Sequence, residues 1–280
     1  MALTASRYGK DRVRVMRLTR SGDHHVPREL TLSVLLTGRF DAAWTEGDNR
    51  ACIATDSVKN IVNVTAARNL SLDAEGFAVA VAQVLLETYP QVETVTIEAE
   101  ETRWQRYAVD GVPHGHTFTR DGNGSGYVGL EATRSGSILK SGIRGYTFMK
   151  TTQSGWAGFV ADGYRTLPDA TDRIAATSMD ATWTWSAAPA DYEVANARIL
   201  ATLLTVFGTT YSRGVQDSMY RMGEAALATV PEVAEIAFVM PNKHYVPIDL
   251  KPFGLENPGT VFLPTDEPHG RIEATIGRAD

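Results

Sequence analysis

Cysteine is almost missing from this 280-residue chain, with Cys52 the single example. One thiol can build neither an intramolecular disulfide nor a cysteine-based zinc cluster, and it fits a reducing compartment. Long apolar runs are missing too. No stretch reaches the roughly 18 apolar residues of a membrane span, and Met1 to Lys10 has no apolar run behind its positive charges. Neither membrane insertion nor secretion is expected. The end, Gly277-Arg278-Ala279-Asp280, lacks a peroxisomal address of the Ser-Lys-Leu type, so the expected location is the cytoplasm. Basic blocks are also lacking: 27 Lys and Arg face 33 Asp and Glu. The electrostatic footprint of a nucleic-acid binder is therefore absent, and small-molecule chemistry is the expectation.

What is present suits a compact protein. Hydrophobic residues make up 43% and charged residues 21%, close to globular averages, and the length suits two domains of ordinary size. Alternation over Arg12 to Leu18 and Glu29 to Arg39 predicts an antiparallel hairpin turning through Ser21 to His25. Thr55-Asp56-Ser57 places capping residues ahead of a helical pattern through Lys59, Val62 and Ala66. Asp73 to Tyr89 repeats at helical spacing until Pro90, and Val92 to Trp104 alternates as a strand. The Gly-, Asp- and Asn-rich segment Asp110 to Gly126 reads as hairpin tips and loop. Strands are then predicted over Tyr127 to Thr133 and Ser137 to Met149, and helices over Asp191 to Phe207 and Val215 to Ala228. Strands return at Glu235 to Met240 and Val261 to Leu263. Both halves read strands, helices, strands, without regular βαβ alternation, which points to α+β with antiparallel sheets.

Four polar islands fall where the backbone should turn. Tyr8-Gly9-Lys10 carries a lysine whose ammonium is either solvated or, if desolvated, able to shuttle protons. Ala54-Thr55-Asp56-Ser57-Val58-Lys59-Asn60 opens a helix, so it is either an ordinary N-cap or an anion site with a hydroxyl that can donate and accept. Lys150-Thr151-Thr152-Gln153-Ser154-Gly155-Trp156-Ala157-Gly158-Phe159, followed by Tyr164, precedes Asp172-Arg173-Ile174. Trp156 offers a stacking face for a flat heterocycle and Arg173 a two-pronged donor for an oxoanion edge; the plain alternatives are a core aromatic and a surface ion pair. Val215-Gln216 and Pro241-Asn242-Lys243-His244 bring amides that suit the adjacent N–H and C=O of an oxopurine, or simply helix surface and turn.

Taken in order, these six motifs resemble urate oxidases from Lys10 to His244, and the likeness continues through Asp249-Leu250, Phe253-Gly254, Asn257 and Ile272-Glu273-Ala274-Thr275. The resemblance implies tandem tunnelling-fold halves, 1–134 and 135–280, with antiparallel sheets and paired helices. It implies a homotetramer forming a tunnel-shaped barrel, with active sites between subunits. The implied reaction turns urate, molecular oxygen and water into 5-hydroxyisourate and hydrogen peroxide, with no cofactor and no metal. Carried over by position, Lys10 and Thr55 match the proton-relay pair, with His244 assisting. Arg173 and Gln216 match the grip on the pyrimidine edge, while the Asp56 backbone N–H and the Thr55 side chain match the contacts to the imidazole edge. The Val215 backbone matches a further substrate contact, and Asn242 matches the residue that holds oxygen or water above the ring.

One position departs from the pattern. The family usually has phenylalanine where Trp156 stands, and the larger indole takes volume from the pocket, so an oxidase of a modified oxopurine is the rival reading. A pterin-handling relative would use a carboxylate anchor where Gln216 stands, and a non-catalytic purine binder leaves Lys10 and Thr55 unexplained. His114-Gly115-His116 places two imidazoles on one strand face without a matching third ligand. His24 and His25 read as turn surface, Cys52 as a small buried hydrophobe, and Trp183 and Trp185 as packing residues on a strand.

Overall fold

A computed structural model describes residues 1–279. The chain divides into two compact units, Met1–Gly142 and Ile143–Asp280.

In the first unit, β1 (Tyr8–Ser21) and β2 (His24–Gly38) form the expected hairpin. A short helix α1 (Asp41–Thr45) leads to α2 (Thr55–Arg68) and α3 (Ala74–Thr88). Then follow β3 (Val92–Thr102), β4 (Trp104–Val109), β5 (Val112–Arg120), β6 (Ser125–Thr133) and β7 (Gly136–Lys150), whose second part belongs to the second unit. The sheet order is β1-β2-β3-β6-β7, and β4 pairs with β5 separately. Alternation buries Leu30, Leu32, Val34 and Leu36 of β2 on the face that also carries Val95 and Ile97 of β3. Helices α2 and α3 cover it with Val58, Val62, Phe77, Val81 and Leu85. Arg17 of β1 is buried in this layer, with its guanidinium over Phe77 and donating to the Asn69 and Leu72 carbonyls between the helices.

The second unit adds β8 (Ala175–Trp185), α4 (Tyr192–Thr209), α5 (Val215–Thr229), β9 (Val233–Pro247) and β10 (Phe262–Gly277), in sheet order β7-β8-β9-β10. Its core joins Met179, Trp183, Ile236, Phe238 and Met240 of the sheet to Ile199, Leu203, Met219 and Met222 of the helices. Trp183 and Trp185 are packing residues as expected: the Trp183 indole donates to Asn196 and Trp185 meets the Tyr192 ring edge-on.

The two units repeat one device. Arg134, after β6, donates to the carbonyls of Leu86, Tyr89 and Val92 at the end of α3. Arg278, after β10, donates to those of Leu227, Val230 and Val233 at the end of α5. Each set has the same spacing around a helix-ending proline, Pro90 or Pro231. A cation there satisfies the orphan carbonyls and opposes the negative end of the helix dipole.

Two sequence expectations need correction. Asp110 to Gly126 does hold a hairpin tip at Asp110-Gly111, both residues having positive φ (49° and 80°), and a loop at 121–124, but most of it is strand, because it holds β5 and the start of β6. The last strand is not confined to Val261–Leu263: β10 runs to Gly277, paired throughout with β9 apart from a bulge between Thr265 and Gly270. Among the described residues no helix is long and apolar enough to cross a membrane.

Candidate active site

Helices α3 and α4 are closed in the ordinary way: the Asp73 and Asp191 carboxylates accept from the Gly76 and Val194 N–H groups at 2.7 and 2.9 Å. Helices α2 and α5 are not. Their N-cap residues are Ala54 and Gly214, and neither has a side-chain cap hydrogen bond. The capping role expected for Thr55-Asp56-Ser57 is therefore incorrect, because the chain turns one residue earlier, at Ala54, and Thr55 is the first helical residue. First-turn N–H groups left without a cap, with the positive end of the dipole behind them, attract an anion.

The α2 start is built from three segments of the first unit. The Tyr8 hydroxyl accepts from the Ile53 N–H at 2.8 Å, and its ring meets Phe40 edge-on at 5.0 Å. Burial pushes the Tyr8 phenol above its ordinary pKa, against the lowering effect of the Ile53 hydrogen bond. Tyr8 therefore ties the beginning of β1, with Lys10 two residues on, to the segment that enters α2 at Thr55. Gly9 between them has to be glycine, since a Cβ there would lie 1.9 Å from the Val34 carbonyl oxygen. Immediately after Lys10 a bulge, with Arg12 at φ 54°, interrupts pairing with β2; bulges of this kind re-aim neighbouring side chains. The Asp56 carboxylate turns away from the helix start, bonding Lys59 and Asn60, and its pKa is lowered first by Lys59, with Lys10 adding a smaller field. Lys10 is thus within electrostatic reach of the first turn of α2. Sequence alone named Tyr8 in a motif but gave it no role; its signal is the fixed spacing to Lys10.

The α5 start gathers the second set. Ser154 and Ser212 form a parallel bridge, with Gly155 N–H donating to the Ser212 carbonyl at 2.8 Å and Ser212 N–H to Gln153 at 2.9 Å. Trp156 pairs with Ala170 through two backbone bonds, and the Arg173 N–H donates to the Ser154 carbonyl at 2.7 Å. Asp172 is not the ion-pair partner of Arg173, because its carboxylate accepts from Thr152 and from the Gln153 N–H at 2.8 and 2.9 Å. Arg173 instead lies half-buried, and desolvation lowers its pKa from the ordinary guanidinium value.

Trp156 is half-buried rather than a core aromatic. Its edge reaches Gly214, where an added Cβ would lie 2.8 Å from Cζ3 of the indole and 3.4 Å from Oε1 of Gln216. Phe159 stacks on the indole (5.5 Å, 15°), and Arg165 sits 4.0 Å from the Phe159 centroid. The platform is thus a ladder, Arg165 on Phe159 on Trp156; the sequence motif ends on Phe159 without giving it a role, and Arg165 lies outside every motif. Arg173, Val215 and Asn242 line one small cleft. His244 lies two residues beyond Asn242 on β9, opposite Thr265 of β10.

Other residues fall outside both clusters. Lys150, which opens its motif, donates to the Phe207 and Thr210 carbonyls at the end of α4 and is structural. The His114 and His116 rings meet at 4.5 Å beside His25, and among the described residues no group of three His, Cys, Asp or Glu is placed to hold a metal ion. Cys52 is not a buried hydrophobe but half-exposed, because the segment entering α2 runs near the surface.

One cluster offers an open helix start with a lysine and a hydroxyl. The other offers an open helix start with a guanidinium, an aromatic face and two primary amides. Comparison with known proteins points the same way. A family model described as Uricase matches residues 6–129 and 139–273. The uricase of Arthrobacter globiformis is 37% identical over 99% of this chain and 90% of its own length; that of Oryctolagus cuniculus is 34% identical over 97% and 93%. The crystal structure of the Arthrobacter globiformis uricase superposes with a TM-score of 0.94 at 36% identity, covering 99% of this chain and 95% of that one. The chain belongs to the uricase family.

Proposed function

We propose that the chain is a urate oxidase that needs no cofactor, converting urate, molecular oxygen and water to 5-hydroxyisourate and hydrogen peroxide. The observation that carries this reading is the uncapped α5 start, where Trp156 and Gln216 flank Gly214 while Arg173, Val215 and Asn242 line one cleft. A flat, anionic heterocycle with adjacent donors and acceptors satisfies all of them together. Arg173 holds the anion in a partly desolvated setting, Gln216 reads the neighbouring edge, and Trp156 fixes the ring plane. The Asp56 N–H and the Thr55 hydroxyl meet the opposite edge.

Deprotonated urate is itself the electron donor to oxygen, so the protein's work is positioning and proton management. Lys10 and Thr55 take the urate proton and later return protons to the departing peroxide. Asn242 holds oxygen, then the water that adds its hydroxyl to the ring, with His244 assisting transfer.

The proton-handling and gripping sets belong to different units of the chain. Each complete site draws one set from each of two subunits, in a cytoplasmic homotetramer of tandem tunnelling folds. Mixing inactive Thr55→Ala and Arg173→Met chains should then restore activity, because hybrids contain some sites with neither substitution. No rescue in hybrids verified by native mass spectrometry counts against shared sites.

Trp156 favours a second reading, an oxidase of a modified oxopurine. Initial rates with urate and with ring-methylated urates separate the two: urate should give the highest kcat/KM, and a preference for a methylated ring overturns the choice. Trp156→Phe should keep urate binding, whereas Trp156→Ala should weaken it by about tenfold, the worth of a lost stacked face. Binding should also quench tryptophan fluorescence in the parent protein. Unchanged affinity in a folded Trp156→Ala protein contradicts the stacking role.

A further inference from the structure

Among the described residues of the second unit, two buried side-chain atoms have no hydrogen-bond partner, Nε of Arg173 and Oγ1 of Thr177. Thr177 is 3% exposed and lies on β8, just after Arg173. Both residues line the small cleft at the α5 start, where Ser154, Ser212, Ser218 and Asn242 stand beside the apolar Phe207, Val215 and Met240. Its volume is about 10 Å³, close to the space of a single water molecule, and a site of that size holds water where two or more polar groups face it.

Two of the other hydroxyls there have their protons committed. Ser218 donates to Ser212 at 2.7 Å, and Ser212 donates to the Gly214 carbonyl at 3.1 Å, a chain that ends at the α5 start. Thr177 has no such commitment. A buried hydroxyl is costly unless it is bonded, and a valine would fill the same volume at no such cost. Asp172 is occupied with Thr152 and Gln153, and among the described residues desolvation alone shifts the guanidinium's pKa.

We propose that Thr177 is a positioning residue for Arg173, acting through one buried water that accepts from Nε–H and bonds the Thr177 hydroxyl. The water fixes the plane of the guanidinium, leaving both terminal nitrogens aimed at the substrate anion. The inference rests on the reading that Arg173 grips urate.

The experiment is steady-state kinetics on urate for Thr177→Val and Thr177→Ser, with melting temperatures and a crystal structure of the unsubstituted protein that resolves ordered water. Thr177→Val should raise KM about tenfold, the worth of one hydrogen bond to a charged group, with kcat little changed, because the grip acts alike on bound urate and on the transition state. Its melting temperature should not fall. Thr177→Ser should restore KM to within about twofold. An unchanged KM in folded Thr177→Val, or a serine variant as impaired as the valine one, overturns the proposal. So does a crystal structure without a water bonded to both atoms. If the unsubstituted protein fails to oxidise urate, the proposed function fails, while the crystallographic water still decides the Arg173–Thr177 bridge.

Discussion

Lys10→Met lowers kcat on urate by about 10²- to 10⁴-fold, the usual worth of a positioned general acid–base group, while KM changes little. The expectation follows from how Lys10 is held. Tyr8 fastens the start of β1 to Ile53, Gly9 lets the strand approach Val34, and the bulge at Arg12 interrupts regular pairing beside the lysine. The strand therefore delivers the ammonium towards the first turn of α2, where the Thr55 hydroxyl has no capping duty. Thr55→Ala should cost a similar factor. The double variant should be hardly worse than either single one, as for groups that work as a unit. Single-turnover rates check the assignment, and a folded Lys10→Met protein with normal kcat removes Lys10 from the proton relay.

Arg173→Met acts on binding instead. Methionine keeps the aliphatic reach and discards the charge. Removing one partner of a desolvated charge pair costs about 2–5 kcal/mol, or roughly 30- to 5000-fold in kcat/KM. Most of it should appear in KM, since the anion is gripped before and during reaction. The folded protein should be no less stable, because a half-buried guanidinium with no ion-pair partner among the described residues gives little back for its desolvation. Urate titration with a parallel melting curve checks both statements, and unchanged affinity in the folded variant contradicts the gripping role.

Much of the fold could be read from local pattern. Alternation at Leu30, Leu32, Val34 and Leu36 marked a half-buried strand, Asp73 and Asp191 marked helix starts, and Pro90 and Pro231 marked stops. These features act within a few residues, which is why sequence carries them. Strand β5 was hidden because Gly, Asp and Asn flank it, and β10 because its exposed polar stretch around Thr265 to Glu267 breaks the apolar alternation.

The site was legible as a set of motifs but not as an arrangement. Thr55-Asp56-Ser57 looks like a cap by composition, and only the chain's actual turn at Ala54 frees Thr55. The indole of Trp156 needs a glycine at position 214, a requirement created by two distant segments meeting. Thr177 belongs to no motif; its interest comes from burial without a partner. The paired Arg134 and Arg278 clamps likewise emerge only when the helix-end carbonyls they satisfy are in view.

The most direct test is stoichiometry. Purified protein, dialysed against a chelator and free of flavin absorbance, is mixed with urate in a sealed oxygen electrode. Loss of urate absorbance is followed alongside oxygen uptake and peroxide formation. Equal molar amounts of urate lost, oxygen consumed and peroxide formed, without added metal or flavin, are expected. Turnover that appears only when metal or flavin is restored, or urate loss without oxygen uptake, contradicts the account.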